Sequence, residues 1–412
     1  MMKHTFYIAI LLFCSRIEYV VFAQDTNNCG KCHQKEQNSE ANSIHIQEGV
    51  GCADCHGGNG KGGIKGTAHG EGFLGKIPRQ DIPKLCAKCH SDVRKMNPYG
   101  LPTDQYAQYL TSKHGEALAN GKTDVATCID CHNTHGIKRV RDPQSPVYPK
   151  NVPSTCAKCH SNKELMDKYG LPATAETLYK QSIHADLLLN KDDLSAPTCA
   201  TCHGNHGAVP PGFAEISHVC GKCHIKQQDL FKESPHAPLV AEGTFKGCVT
   251  CHSNHKISRT PKDIFKRCST CHEEGDKAIK ERDTIFTLIE SAEGDFQKAK
   301  DRLGQLTRAG FHTEDEELLM EEAKTSILQL PPVQHTLNLE NVRKLFSTTE
   351  SPLSDIQRQL DKKEKADEIK KFALVPIWLF LIGMAVVFWL KRSELEKRQK
   401  VADSEVAKKN NK

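Results

Sequence analysis

Strand-like alternation of apolar and polar residues is nearly absent from this 412-residue chain, which leaves a mainly α and irregular fold. Tryptophan occurs only as Trp378 and Trp389, and no tyrosine follows Tyr179. Cysteine is confined to one motif except for Cys14, so no pool of thiols remains for a disulfide framework. Charge-free apolar stretches are few: one near the start and one at 372–390.

What the chain does have is Cys-x-x-Cys-His, nine times. The cysteines are Cys29 and Cys32, Cys52 and Cys55, Cys86 and Cys89, Cys128 and Cys131, Cys156 and Cys159, Cys199 and Cys202, Cys220 and Cys223, Cys248 and Cys251, and Cys268 and Cys271. The histidines that follow are His33, His56, His90, His132, His160, His203, His224, His252 and His272. Zinc or a disulfide explains a Cys pair but not a histidine directly after every pair. Covalent haem explains both: the thiols add across the vinyl groups and the histidine becomes the proximal iron ligand. The expected cofactors are therefore nine haem c groups.

The region repeats with a period of 70 residues. Residues 86–114 align with 156–184 without a gap, sharing Met, Tyr-Gly-Leu-Pro and a closing Ser-x-His. Shorter copies start at Cys29 and Cys220. Ser43, Ser112, Ser182 and Ser234 thus precede His45, His114, His184 and His236 by two positions. A second motif follows each stretch, and three of these extend to Cys-x-x-Cys-His-x-x-His, adding His135, His206 and His255; the first copy has Asn59 there. The plan is four two-haem modules plus a ninth haem.

Residues 29–272 hold eighteen histidines, nine of them in motifs. The other nine, His45, His69, His114, His135, His184, His206, His218, His236 and His255, match the number of distal ligands that full bis-histidine ligation requires. His69 is the expected substitute for the ligand missing at Asn59. Met96 and Met166 are repeat-equivalent and read as packing residues rather than thioether ligands. So little chain per haem implies that the porphyrins themselves form the core, wrapped by loops and short helices.

With CIDCHNTHG, CATCHGNHG and CVTCHSNH in view, residues 29–272 resemble multihaem cytochromes of the doubled-CxxCH type. The resemblance implies closely packed haems with histidine on both axial positions. The order of haem region, helical segment and C-terminal anchor also resembles the hydroxylamine oxidoreductase group. That group has eight haems and a tyrosine cross-linked to its active haem. This chain has nine motifs and no tyrosine beyond Tyr179, so that activity does not carry over.

The expected boundaries are a signal peptide at 1–23, a nonahaem domain at 24–276, a helical segment at 277–371, a transmembrane helix at 372–390 and a basic tail at 391–412. Ile285, Ile289, Ala292, Phe296, Ala299, Leu303 and Leu306 form a heptad seam, expected to pack within a three-helix segment, with pairing to another subunit as the alternative. Gly310 reads as a stop, Thr313 with Glu316 as a capping box, Pro331-Pro332 as the end of a second helix, and Pro352 as a break in a third. His312 and His335 read as surface or helix-end residues. Nineteen uncharged residues at 372–390 span roughly 28 Å as a helix, near the thickness of a bilayer core. The tail carries eight Lys and Arg against four acids, which places it in the cytoplasm and the haems outside.

The formal charge of +5 suggests no nucleic acid, because the propionates of nine haems outweigh it. The expected function is membrane-anchored electron transfer between a membrane donor, quinol-linked, and an exported redox partner. Its partners would be the bilayer, a quinol-oxidising membrane protein or respiratory complex subunits, and an exported cytochrome or reductase. The alternative is a reductase or oxidase of small nitrogen or sulfur compounds at one five-coordinate haem, with the first module as its expected place. No catalytic residue is assigned.

Overall fold

A computed structural model describes residues 27–410; the expected signal peptide and Cys14 lie outside the described residues. Among the described residues every regular element is a helix and none is a strand. The chain divides into two compact units. One runs to Cys220 and includes Lys246–Ile264; the other comprises Gly221–Phe245 and everything from Phe265 onward. The ninth motif therefore shares a unit with the long C-terminal helices.

In the first unit the second motif of each module is itself a helix. Cys52–His56, Cys128–His132, Cys199–His203 and Cys248–His252 are each a five-residue helix. One helical turn puts residues i, i+3 and i+4 on one face, so both cysteines and the histidine point the same way. So short a helix needs help at its start, and the residue before the second cysteine provides it. Asp54 accepts from Gly51 N at 2.7 Å, Asp130 from Thr127 N at 2.7 Å, Thr201 from Thr198 N at 3.0 Å and Thr250 from Lys246 N at 3.1 Å. After the histidine the chain turns through positive φ, at Gly57, Asn133, Gly204 and Ser253. That turn ends the helix and sends the following residues away from it.

Packed apolar side chains are sparse here. The clusters are Tyr109, Leu118 and Val125 in one repeat, and Tyr179, Ala185, Leu188 and Ala196 in the next. Tyr109 and Tyr179, equivalent in the repeat, each donate to a backbone carbonyl just before the next motif, Ala126 and Pro197. Met96 and Met166 are buried, as packing residues.

The second unit has an ordinary core. Helices α1 (Lys277–Arg308), α2 (Glu314–Ile327) and α3 (Leu339–Asn410) pack through Ala299, Leu303, Leu306, Met320, Ala323, Leu353, Ile356 and Leu360. The heptad seam thus packs within the chain, Ile285 and Ala292 included. Gly310, with φ +87°, follows α1, and Phe311 N returns to Leu306 O at 3.1 Å.

Three local expectations change. The capping box does not form: Thr313 Oγ1 donates to Glu317 and meets Thr307 Oγ1 instead of capping the backbone, and Glu316 is fully buried and committed to Lys363 of α3 at 2.5 Å. The second helix ends at Ile327, and Pro331 and Pro332 instead open a short turn of helix, Leu330–Val333. Pro352 does not break α3, since burial of Leu353, Ile356 and Leu360 just beyond it offsets a backbone cost of about 3 kcal/mol.

Glu316 Oε1 has no partner of its own, so Lys363 is what keeps this buried carboxylate tolerable. Lys363→Ala is expected to destabilise the bundle by about 3–5 kcal/mol, read as a lowered midpoint in denaturant. Lys363→Ala with Glu316→Gln should recover much of that loss.

Beyond the core α3 continues through 372–390, where every residue is exposed. It is the one helix among the described residues long and apolar enough to cross a membrane. This is consistent with a single-pass anchor.

Candidate haem sites

The motif histidines face other histidines. His33 faces His69 with ring centres 6.0 Å apart, His90 faces His45 at 6.1 Å, and His56 faces His135 at 6.4 Å. His160 faces His114 at 6.1 Å, His132 faces His206 at 6.2 Å, His203 faces His255 at 5.9 Å, and His272 faces His236 at 6.1 Å. Seven pairs result, each joining one motif histidine to one of the nine distal candidates.

The spacing is itself a test of fit. A metal–imidazole bond of about 2.0–2.1 Å on each side, with roughly 1.1 Å from nitrogen to ring centre, sets two coaxial imidazoles about 6.3 Å apart. Among the described residues no three His, Cys, Asp or Glu converge as a metal-binding group. Two axial donors and no equatorial ones suit an iron whose other four positions belong to a macrocycle. Each pair thus fits haem, with the motif cysteines beside it for attachment.

Seven of the paired imidazoles are held toward the neutral form by burial. Burial, then neighbouring His206 and His90, push His132 down to about 4. Burial likewise lowers His90, His114, His160, His206, His236 and His255. All seven are neutral at pH 7, with a lone pair free to donate.

The pairing crosses module boundaries. Each Ser-x-His histidine seen in a pair faces the next motif beyond its own module: His45 to His90 and His114 to His160, each the first motif of the following module, and His236 to His272 of the ninth motif. Each extra histidine of a doubled motif faces the second motif of the preceding module: His135 to His56, His206 to His132, His255 to His203. A backbone hydrogen bond repeats at each junction: Ile44 N to Ile137 O, Lys113 N to Ala208 O, and Ile183 N to Ile257 O, at 2.7–3.1 Å. The serine of Ser-x-His is buried and caps the helix that carries the histidine, Ser112 Oγ accepting from Gly115 N and Ser182 Oγ from Ala185 N. Ser234 is buried too but makes no such bond.

This overturns the reading of Asn59. Its module lacks nothing, since His56 faces His135, and His69 faces His33. Asn59 instead accepts from Lys61 N. The first module is therefore no special place for an open iron. His184, His218, His224 and His252 complete the eighteen histidines of the region. His312 is exposed beside Glu314, and His335 Nδ1 bonds the carbonyls of Pro331 and Pro332, as surface and helix-end residues.

Within modules the attachment points meet. The first cysteines of paired motifs are close enough to perturb each other's thiols: Cys29 and Cys52, Cys86 and Cys128, Cys156 and Cys199, and Cys220 and Cys248. Haems attached at these neighbouring cysteines would be held close to one another. Consecutive modules also approach, as burial and then Cys86 push the Cys55 thiol up to about 11.

Comparison with known proteins agrees. The family described as Cytochrome c3 matches residues 44–161, and Cytochrome c554 and c-prime matches 219–294. The multiheme cytochrome MtrA of Shewanella baltica (strain OS185) is 25% identical over 231 residues, covering 52% of this chain and 56% of the relative. The chain thus spans about half the length of that curated relative. No solved structure matches. These matches support a multihaem c-type cytochrome and imply haem c attached covalently.

Proposed function

We propose that the chain is a membrane-anchored electron conduit of nine bis-histidine haems. Seven histidine pairs at iron-spanning distance are the observation that carries this reading. The tally of nine motif and nine further histidines extends it to His184, His218, His224 and His252. Haem supplies the redox chemistry; the chain's own residues fix its spacing, ligation and potential. Imidazole on both faces leaves no position for a substrate, and favours electron transfer over catalysis. The apolar stretch at 372–390 would hold the assembly to the bilayer, with the haems on the extracytoplasmic side and the basic tail in the cytoplasm. Electrons would pass between a quinol-linked membrane donor and an exported cytochrome or reductase.

Low-temperature EPR of the oxidised holoprotein tests this. Only low-spin ferric signal is expected. One haem-equivalent of high-spin signal that shifts on adding nitrite or hydroxylamine would make the protein an enzyme instead.

A further inference from the structure

The seven histidine pairs differ in how their ring planes are set, and the difference follows position in the module. At the second motif of a module the planes are near parallel: 28° for His56–His135, 15° for His132–His206 and 19° for His203–His255. At the first motif, and at the ninth, they are crossed: 39° for His33–His69, 56° for His90–His45, 61° for His160–His114 and 58° for His272–His236. The two sets do not overlap.

The cause lies in the fold. Distal ligands of the second motifs come from the loop after a positive-φ turn. Those of the repeated first motifs come from the start of a short helix, a different approach direction. Proximal rings differ as well. His56 Nδ1 bonds Gly75 O at 3.1 Å, His203 Nδ1 bonds Val209 O at 3.3 Å and His252 Nδ1 bonds Ser258 O at 3.0 Å, all at second motifs. His132 has no such bond among the described residues, nor do the first-motif histidines His33, His90 and His160. At the two ends of the motif series a phenylalanine holds the distal ring flat: Phe73 lies 4.0 Å from His69 at 4°, and Phe245 lies 4.8 Å from His236 at 3°.

Ring orientation is an electronic setting. Parallel imidazoles donate into the same iron d orbital, split it from its partner and stabilise the ferric state. Crossed imidazoles donate into both orbitals and leave them near-degenerate, which produces strong magnetic anisotropy and a less stable ferric state. A carbonyl on Nδ1–H makes the imidazole a stronger donor and pushes the same way as parallel planes.

We propose that the array alternates two electronic classes of haem, with lower potentials at the second motif of each module and higher potentials at the first motifs and the ninth. The proposal rests on the bis-histidine reading above. Electrons moving along the chain would then meet alternating steps of potential set by the repeat itself. His56, His203 and His252 act as positioned donors through their carbonyl partners, and Phe73 and Phe245 as positioning residues for the terminal pairs.

EPR of the full-length oxidised protein should show two low-spin families, one rhombic and one with a large maximal g value, the first integrating to at least three haems and the second to at least four. During stepwise reduction the large-g family should disappear first. His206→Ala should remove one haem-equivalent from the rhombic family and His114→Ala one from the large-g family. A single low-spin family, loss of the rhombic family first, or both substitutions drawing on the same family would overturn the proposal. The wild-type spectrum and its reduction decide the matter if either variant fails to mature. High-spin signal in the wild type would count against bis-histidine ligation rather than against the alternation.

Discussion

Produced where haem cannot be attached, the region 27–272 is expected to remain unfolded while α1, α2 and α3 keep their helix. Limited proteolysis should cut throughout the motifs at a concentration of protease that leaves the holoprotein intact, and the surviving fragment should begin near Lys277. The reason is the distribution of buried apolar side chains. The bundle packs eight into one contiguous cluster, with Phe296, Phe311, Leu319 and Ile327 against it. The clusters of the haem region hold three and four, in separate repeats. Large apolar side chains there are mostly exposed, among them Ile64, Val93 and Val140. Fixing a backbone residue costs about 1–2 kcal/mol, and clusters of that size do not offset it over the whole region. Porphyrin faces have to supply the missing apolar contact. A protease-resistant haem-free region with a cooperative unfolding transition would refute this.

How much of this was legible in the sequence depended on how local the chemistry is. Haem attachment needs two thiols and a histidine within one helical turn, so the nine motifs could be read directly. The distal histidines could be counted because each iron needs one. Their assignment could not be read, because in six of the seven pairs the facing histidine comes from outside the motif's own module, His33 with His69 being the exception. Asn59 misled for that reason: it looked like a gap only if each module ligates itself, whereas His56 faces His135. The capping role of Asp54, Asp130, Thr201 and Thr250 was open to view, since an oxygen-bearing side chain precedes the second cysteine of those four motifs, but its signal is a single residue inside a stronger motif. In the bundle the heptad seam was legible from periodicity alone. The supposed capping box at Thr313 failed because Glu316 answers to Lys363 on α3, a tertiary partner that no local pattern reveals. The apolar run at 372–390 was legible because length and composition suffice.

Removing His135 is expected to open the iron anchored at Cys52 and Cys55, not the one anchored in its own motif at Cys128 and Cys131. His135 follows His132 by three residues, yet its ring lies 6.4 Å from His56, while His132 faces His206 at 6.2 Å. In His135→Ala, therefore, about one haem-equivalent should turn high-spin, and added imidazole should return it to low spin by filling the vacant face. The location is decided by a second background. With Cys52→Ala and Cys55→Ala the haem facing His135 is never attached, so adding His135→Ala should produce no high-spin signal. If each module ligated its own haems, the high-spin signal would persist in that background, carried by the haem at Cys128. The consequence reaches beyond one site. Ligation across these junctions, alongside the bonds from Ile44 to Ile137, Lys113 to Ala208 and Ile183 to Ile257, would leave none of the first three modules complete alone. On that reading a ligand lost from one module should loosen its neighbour within the first unit, because each of these modules would depend on the next for its iron chemistry as well as for its packing.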